Sequence, residues 1–183
     1  MTNSMRLSTA WDDLRVPVNA TNIGAANDPN FSQVLTNGAG SQGVYTYLFD
    51  ASAEEELFFN VQLPHAWKEG TDIEPHIHWF PTTTNTGTVR WGLEYTWASV
   101  NGTFGNTTII YTDDPADGTA YKHQLADFSA ISATNQTLSS MLMCRVFRDA
   151  TNGADTYTGD AGLLEIDFHH RIDSLGSLSE YIK

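Results

Sequence analysis

Two histidines one residue apart, His76 and His78 in GTDIEPHIHW, are the most pointed chemical feature of the chain. On an extended strand, residues two apart project to the same side with side chains about 6 to 7 Å apart. Both imidazoles can therefore reach a single metal ion, and imidazole suits first-row transition metals. The bland alternative is that both are hydrogen-bonded side chains on a half-buried or interfacial strand.

Gly70, five further residues and then His76-Ile77-His78 resemble the opening of the first cupin motif. That motif continues with a glutamate, where this chain has Thr82, Thr83 and Thr84, and no second cupin motif follows. A third ligand would have to come from elsewhere, with Glu94, Glu165, His169 and His170 as the alternatives. A cupin-like metalloprotein is one reading of this pair.

Other chemistry is sparse. Glu165 and Asp167 share one face of an alternating stretch, but Arg171 shares it too, and a solvated polar face explains the trio more simply than a catalytic carboxylate pair. Neither a G-x-S-x-G nucleophile elbow, a phosphate-binding GxxxxGK[ST] loop nor an HExxH helix is present, so no catalytic residue is assigned and a non-enzymatic protein is expected. Two acidic stretches have the composition of a calcium loop without EF-hand spacing. One holds Asp113, Asp114 and Asp117; the other holds Asp149, Asn152, Asp155 and Asp160. Of the five tryptophans, Trp91 and Trp97 belong to a regular apolar stripe and Trp79 sits between His78 and Phe80 on another strand, so burial in the core or a subunit interface is expected for them. Trp67, in PHAWKEG, is the one placed to stack on a ligand such as a sugar.

The elements that must carry these residues are strands. In TVRWGLEYTWASV, Val89, Trp91, Leu93, Tyr95 and Trp97 alternate with polar partners, and Asn101-Gly102 then gives a hairpin signal with a return over residues 107 to 112. EELFFNVQLP places Leu57, Phe59, Val61 and Leu63 on one face. LLEIDFHHRID does the same with Leu164, Ile166, Phe168, His170 and Ile172. Weaker strands are expected over residues 43 to 49, 75 to 80, 122 to 128 and 140 to 147, separated by Gly-, Asn- and Asp-rich turns. No helical period competes with them. The expectation is an all-β, antiparallel two-sheet sandwich of jelly-roll type over residues 43–183, preceded by an irregular N-terminal arm and first loop over residues 1–42 with room for one short strand.

Composition limits the partners. The 183 residues carry 9 Lys+Arg against 22 Asp+Glu, a net charge of −13 that repels a phosphate backbone, so nucleic acid is a poor partner. Cys144 is the single cysteine and reads as a small core residue, which excludes an intrachain disulfide. The N-terminal stretch lacks the apolar run of a secretory signal, and no segment approaches the roughly 18 apolar residues of a membrane span. A protein kept in the compartment where it is made, without a membrane partner, is the expectation.

Taken together, WDDLRVPV, LPHAWKEGTDIEPHIHWFP, WGLEYTWASVNGTF, RDATNGADTYTGDAGLLEIDFHHRID and LGSLSEYIK resemble a group of small virion proteins of tailed bacteriophages. The resemblance implies a β-sandwich that assembles on the particle, as a capsid decoration (cement) protein or as part of the neck, tail or fibre. It brings no catalytic residues and no cofactor. The implied partners are further copies of the chain, with a homotrimer expected by analogy, and a major capsid or tail protein; assembly would take place in the host bacterial cytoplasm. A carbohydrate-binding tail or fibre module is the remaining alternative.

Overall fold

The computed structural model describes residues 10–24, 26–180 and 182–183. The opening nine residues of the expected N-terminal arm, and Tyr181 in LGSLSEYIK, lie outside the described residues. Ten strands run in chain order: β1 Ala10–Pro17, β2 Asn30–Leu35, β3 Val44–Phe49, β4 Glu55–Gln62, β5 Ile73–Pro81, β6 Thr86–Ala98, β7 Thr108–Asp117, β8 Gln124–Asp127, β9 Met141–Arg148 and β10 Ala161–Ile172. A short 3-10 turn at Val18–Ala20 follows β1. No helix among the described residues is long and apolar enough to cross a membrane.

The strands form two antiparallel sheets, β2-β3-β10-β5-β8 and β4-β9-β6-β7, with β1 added alongside β10. Pairing is nested: β3 with β10, β4 with β9, β5 with β8 and β6 with β7. A long hairpin rolled so that its successive pairs alternate between two sheets gives this order, which is the jelly roll expected from the alternation pattern. The segment read as an irregular arm contributes two strands. β1 pairs with β10 over Leu14↔Phe168 and Val16↔Ile166, and β2 pairs with β3.

Alternation explains the core. Val89, Trp91 and Leu93 from β6, and Leu57, Phe59 and Val61 from β4, face Ile77 and Trp79 from β5 and Ile166 and Phe168 from β10. Trp79 and Trp91 meet edge-on with centroids 6.2 Å apart, and Phe49 meets Trp91 at 5.1 Å, so aromatic volume fills the centre. Cys144 is buried, as expected.

Two local expectations change. Leu164 was placed on the apolar face of β10, but it is exposed and Leu163 is buried in its stead. The register of β10 against β5 shifts between Leu163 and Glu165, and this bulge inverts the parity of the residues before it. The turn after β6 also differs. Asn101 takes the positive φ of +66°, and the Gly102 N–H donates to Ser99 O at 2.8 Å. The turn is thus centred on Val100-Asn101, and residues 102–107 follow before β7 begins.

Candidate functional site

β5 alternates Ile73, Pro75, Ile77 and Trp79 toward the core with Glu74, His76 and His78 toward the outside. The histidine pair therefore lies on the outer face of the larger sheet. Next to β5 runs β10, whose register sets Asp167 opposite His76 and Glu165 opposite His78. On the far side of β10, β1 sets Asp13 opposite His169 and Arg15 opposite Asp167. Beyond β5, β8 sets Asp127 opposite His76. One cross-strand row thus reads Arg15, Asp167, His76, Asp127.

The nitrogens converge on one oxygen. His76 Nε2 lies 3.3 Å and His78 Nε2 3.1 Å from Asp167 Oδ2, and one ligand atom from each of the three residues falls within 4.8 Å of the others. Asp167 is the deepest of the three, its side chain 5% exposed against 13% for His76 and 23% for His78. Its second oxygen, Oδ1, is buried without a hydrogen-bond partner. His78 is oriented from behind, since its Nδ1 meets His123 Nε2 at 2.6 Å.

A satellite pair lies beside this cluster. His169 Nδ1 meets Asp13 Oδ1 at 2.6 Å, and the His169 ring stacks on Trp11 at 4.8 Å. Burial alone would raise the Asp13 carboxyl, but the His169 hydrogen bond and charge outweigh it and hold the group below its ordinary value. A depression of about 570 Å³ opens next to His76 and is lined by Asp13, Glu74, Asp127 and His169 among others. Carboxylates dominate its polar lining, which makes it attractive to a cation.

His76 and His78 therefore do share a face, but the third group beside them, Asp167, is none of the third ligands named from sequence. Glu94 lies on the other sheet, bound to Arg145 Nε at 2.9 Å. His170 is buried, with its Nδ1 3.1 Å from Phe168 O. Glu165 opposes His78 in register but is outside the cluster, and His169 is taken up by Asp13. Asp167, expected on a solvated polar face, is buried instead. Its signal was available only in the β5 to β10 register, which the sequence does not display.

One further expectation is corrected, and both acidic stretches have protein partners. Trp67 is completely buried and its Nε1 donates to Thr71 O at 3.2 Å, so it offers no stacking platform; the exposed tryptophan is Trp11. The stretch with Asp113, Asp114 and Asp117 belongs to β7, and its carboxylates are bound one by one by Arg90, Trp79 and Lys122. In the second acidic loop the carboxylate of Asp155 is held by Arg148 through both oxygens, at 2.9 Å each, while Asp149 lies 3.6 Å from Arg90. In both stretches most of the carboxylates are thus engaged by protein groups.

No protein-family model and no curated protein sequence matches the chain. Similar solved structures include the insecticidal δ-endotoxin Cry8Ea1 of Bacillus thuringiensis, at 13% identity and a TM-score of 0.41 over 87% of this chain and 24% of the toxin. The chain thus spans about a quarter of that protein's length. TmCBM61, solved with β-1,4-galactotriose, is 15% identical with a TM-score of 0.32, over 90% of this chain and 88% of its own. A chain of infectious bursal disease virus, Gx strain, is 14% identical with a TM-score of 0.35, over 85% of this chain and 39% of its own. These neighbours are distant in sequence, and the likeness assigns neither activity nor ligand.

Proposed function

We propose that the protein is a non-enzymatic structural subunit of a bacteriophage virion, a capsid decoration or cement protein that works by binding. The observation that carries this reading is the β2–β3 hairpin. Residues 30–49 contain no Asp, Glu, Lys, Arg or His, in a chain of net charge −13. Phe31, Leu35, Val44 and Tyr45 stand exposed on it, Phe31 at 54% and Tyr45 at 47%, and the Phe31 ring lies 5.7 Å from Tyr45 and 5.1 Å from Tyr47.

Edge strands are normally defended by lysine, proline or inward-pointing charge. β2 ends its sheet with none of these, and among the described residues no strand pairs with its outer edge. Such an edge is suited to being covered. Its occupant in this reading is a second copy of the chain, because like-charged acidic copies can approach closely only where charge is missing. A contact from the hairpin of one copy to the flank of the next closes into a ring, and a homotrimer is the ring expected here. Presented many times on a capsid or tail lattice, modest single contacts become effectively permanent. The resemblance to small virion proteins of tailed phages supplies the setting of this reading, with assembly in the bacterial cytoplasm and residence in the virion.

Native mass spectrometry of the full chain tests the assembly. A closed oligomer that Phe31→Ser with Tyr45→Ser converts to monomer, while circular dichroism stays unchanged, is the expected result. A wild-type monomer at tens of micromolar, or absence of the protein from purified particles, overturns the reading.

A further inference from the structure

We propose that His76, His78 and Asp167 bind one divalent transition-metal ion on the outer face of the larger sheet, with its remaining coordination positions open to the adjoining depression. This site is independent of the assembly reading above.

Two of the three ligand-to-ligand distances fit a metal closely, and the third is within 4.8 Å. Ligands about 2.0 to 2.2 Å from a tetrahedral zinc stand roughly 3.3 Å from one another. The two nitrogen-to-oxygen edges of the cluster measure 3.1 and 3.3 Å. Two imidazoles and one carboxylate form a donor set suited to zinc, iron, manganese or nickel rather than to calcium or magnesium, which favour all-oxygen shells. The scaffold is stiff, because both histidines come from one strand and the aspartate from its hydrogen-bonded neighbour.

A second observation points to a ligand independently of these spacings. Asp167 is buried, yet only one of its oxygens is engaged, shared between two imidazoles, while Oδ1 has no partner. Leaving a buried carboxylate oxygen bare is costly unless a charge compensates it. Arg15 opposes Asp167 in register but forms no ion pair with it among the described residues. A cation held by Asp167 and the two imidazoles would supply that compensation.

The back of the site is also built. Histidines that bind metals commonly have their other ring nitrogen fixed by a hydrogen bond. His123 does this for His78 at 2.6 Å. A neutral His78 facing the acceptor-only Asp167 carboxylate must donate from Nε2–H, which leaves Nδ1 to accept from His123. With Nε2 donating its lone pair to a metal, the proton sits on Nδ1 and the bond to His123 reverses direction. Metal binding is therefore coupled to the tautomer of His78, a readout separate from affinity.

The test uses the full chain stripped with chelator and titrated with Zn2+ by calorimetry and with Co2+ by visible absorption, alongside imidazole 15N shifts. The expected result is one ion per chain, cobalt d–d bands of a low-coordinate site with nitrogen ligands, and a switch of His78 from the Nε2–H to the Nδ1–H tautomer. His76→Ala and His78→Ala each weaken binding by about 100-fold or more, His123→Ala by about 10-fold, and His65→Ala not at all. Both ligand histidines are partly exposed, so these variants are expected to keep the wild-type circular dichroism. Asp167→Asn, at the buried position, is a further variant whose loss of binding is read only alongside an intact spectrum. Binding weaker than millimolar, or affinity unchanged in both His76→Ala and His78→Ala, overturns the proposal.

Discussion

The molecule buries two aspartates in opposite ways. Asp155, with a side chain 1% exposed, faces Arg148, which is 0% exposed. Every donor of that guanidinium is used: Nε and one Nη2 proton bind the two Asp155 oxygens, Nη1 binds Phe49 O and Gly159 O, and Nη2 also binds Tyr157 O. Asp167 is nearly as deep, yet its partners are two imidazoles crowding one oxygen while the other is bare. A saturated buried ion pair ties a loop to a sheet and has no capacity left for anything else. The unsaturated cluster has unused capacity, and that separates architecture from a candidate binding site more sharply than residue type does.

Breaking the saturated pair should have the largest effect. Arg148→Met leaves Asp155 buried without a counter-charge and loosens residues 149–160, so it should lower unfolding free energy by about 3 to 5 kcal/mol in urea titrations. Converting both partners, with Arg148→Met and Asp155→Leu together, should recover a substantial part of that loss. A single variant costing under about 1 kcal/mol would show that the loop does not depend on the clamp. The matched change at the other aspartate, Asp167→Asn, should alter stability in chelator by under about 1 kcal/mol, since it removes a poorly compensated charge and keeps an acceptor for the imidazoles. Equal costs for Asp155→Asn and Asp167→Asn would erase the distinction.

The same contrast explains what the sequence made legible. Period-two alternation in β4, β6 and β10 was enough for the sandwich, because inward-facing residues such as Leu57, Trp91 and Ile166 repeat at strand spacing. Parity failed at Leu164, where a bulge inserts a residue that no local pattern announces. The histidine pair was visible because both ligands sit on one strand, two apart. Asp167 was hidden because its neighbourhood is created by pairing between strands some 90 residues apart in the chain. Trp67 looked like a loop residue among polar neighbours, yet an isolated bridge to Ile172 draws its segment against the end of β10. The arginine clamps are hidden for a similar reason, since the loop's own residues do not name the strands that supply Arg90 and Arg148. β1 is exposed at half of its positions and β2 at most of them, and neither shows a clear apolar stripe, so only their pairing reveals them.

A partly buried carboxylate lies between the two extremes and gives the smallest expected effect. Asp114 is partly buried on β7, and Trp79 Nε1 donates to its Oδ2 at 2.6 Å. Burial pushes its carboxyl above the ordinary value, the nearby Asp127 charge adds to this, and the hydrogen bonds from Trp79 and Gln124 offset part of it. A carboxyl whose folded value is raised holds its proton more tightly when folded, so its charged form opposes folding at neutral pH. That opposition fades as pH falls through the folded value toward the unfolded one near 3.8. Asp114→Asn keeps an acceptor for the Trp79 indole and removes the charge. It should therefore stabilise the fold at pH 7, by less than about 1 kcal/mol once solvent screening of a half-exposed group is allowed for. The advantage should shrink as the titration is repeated toward pH 4. Destabilisation at pH 7, or an advantage that grows in acid, would mean that the indole requires a full negative charge opposite it, and Asp114 would then belong with Asp155 as a compensated ion.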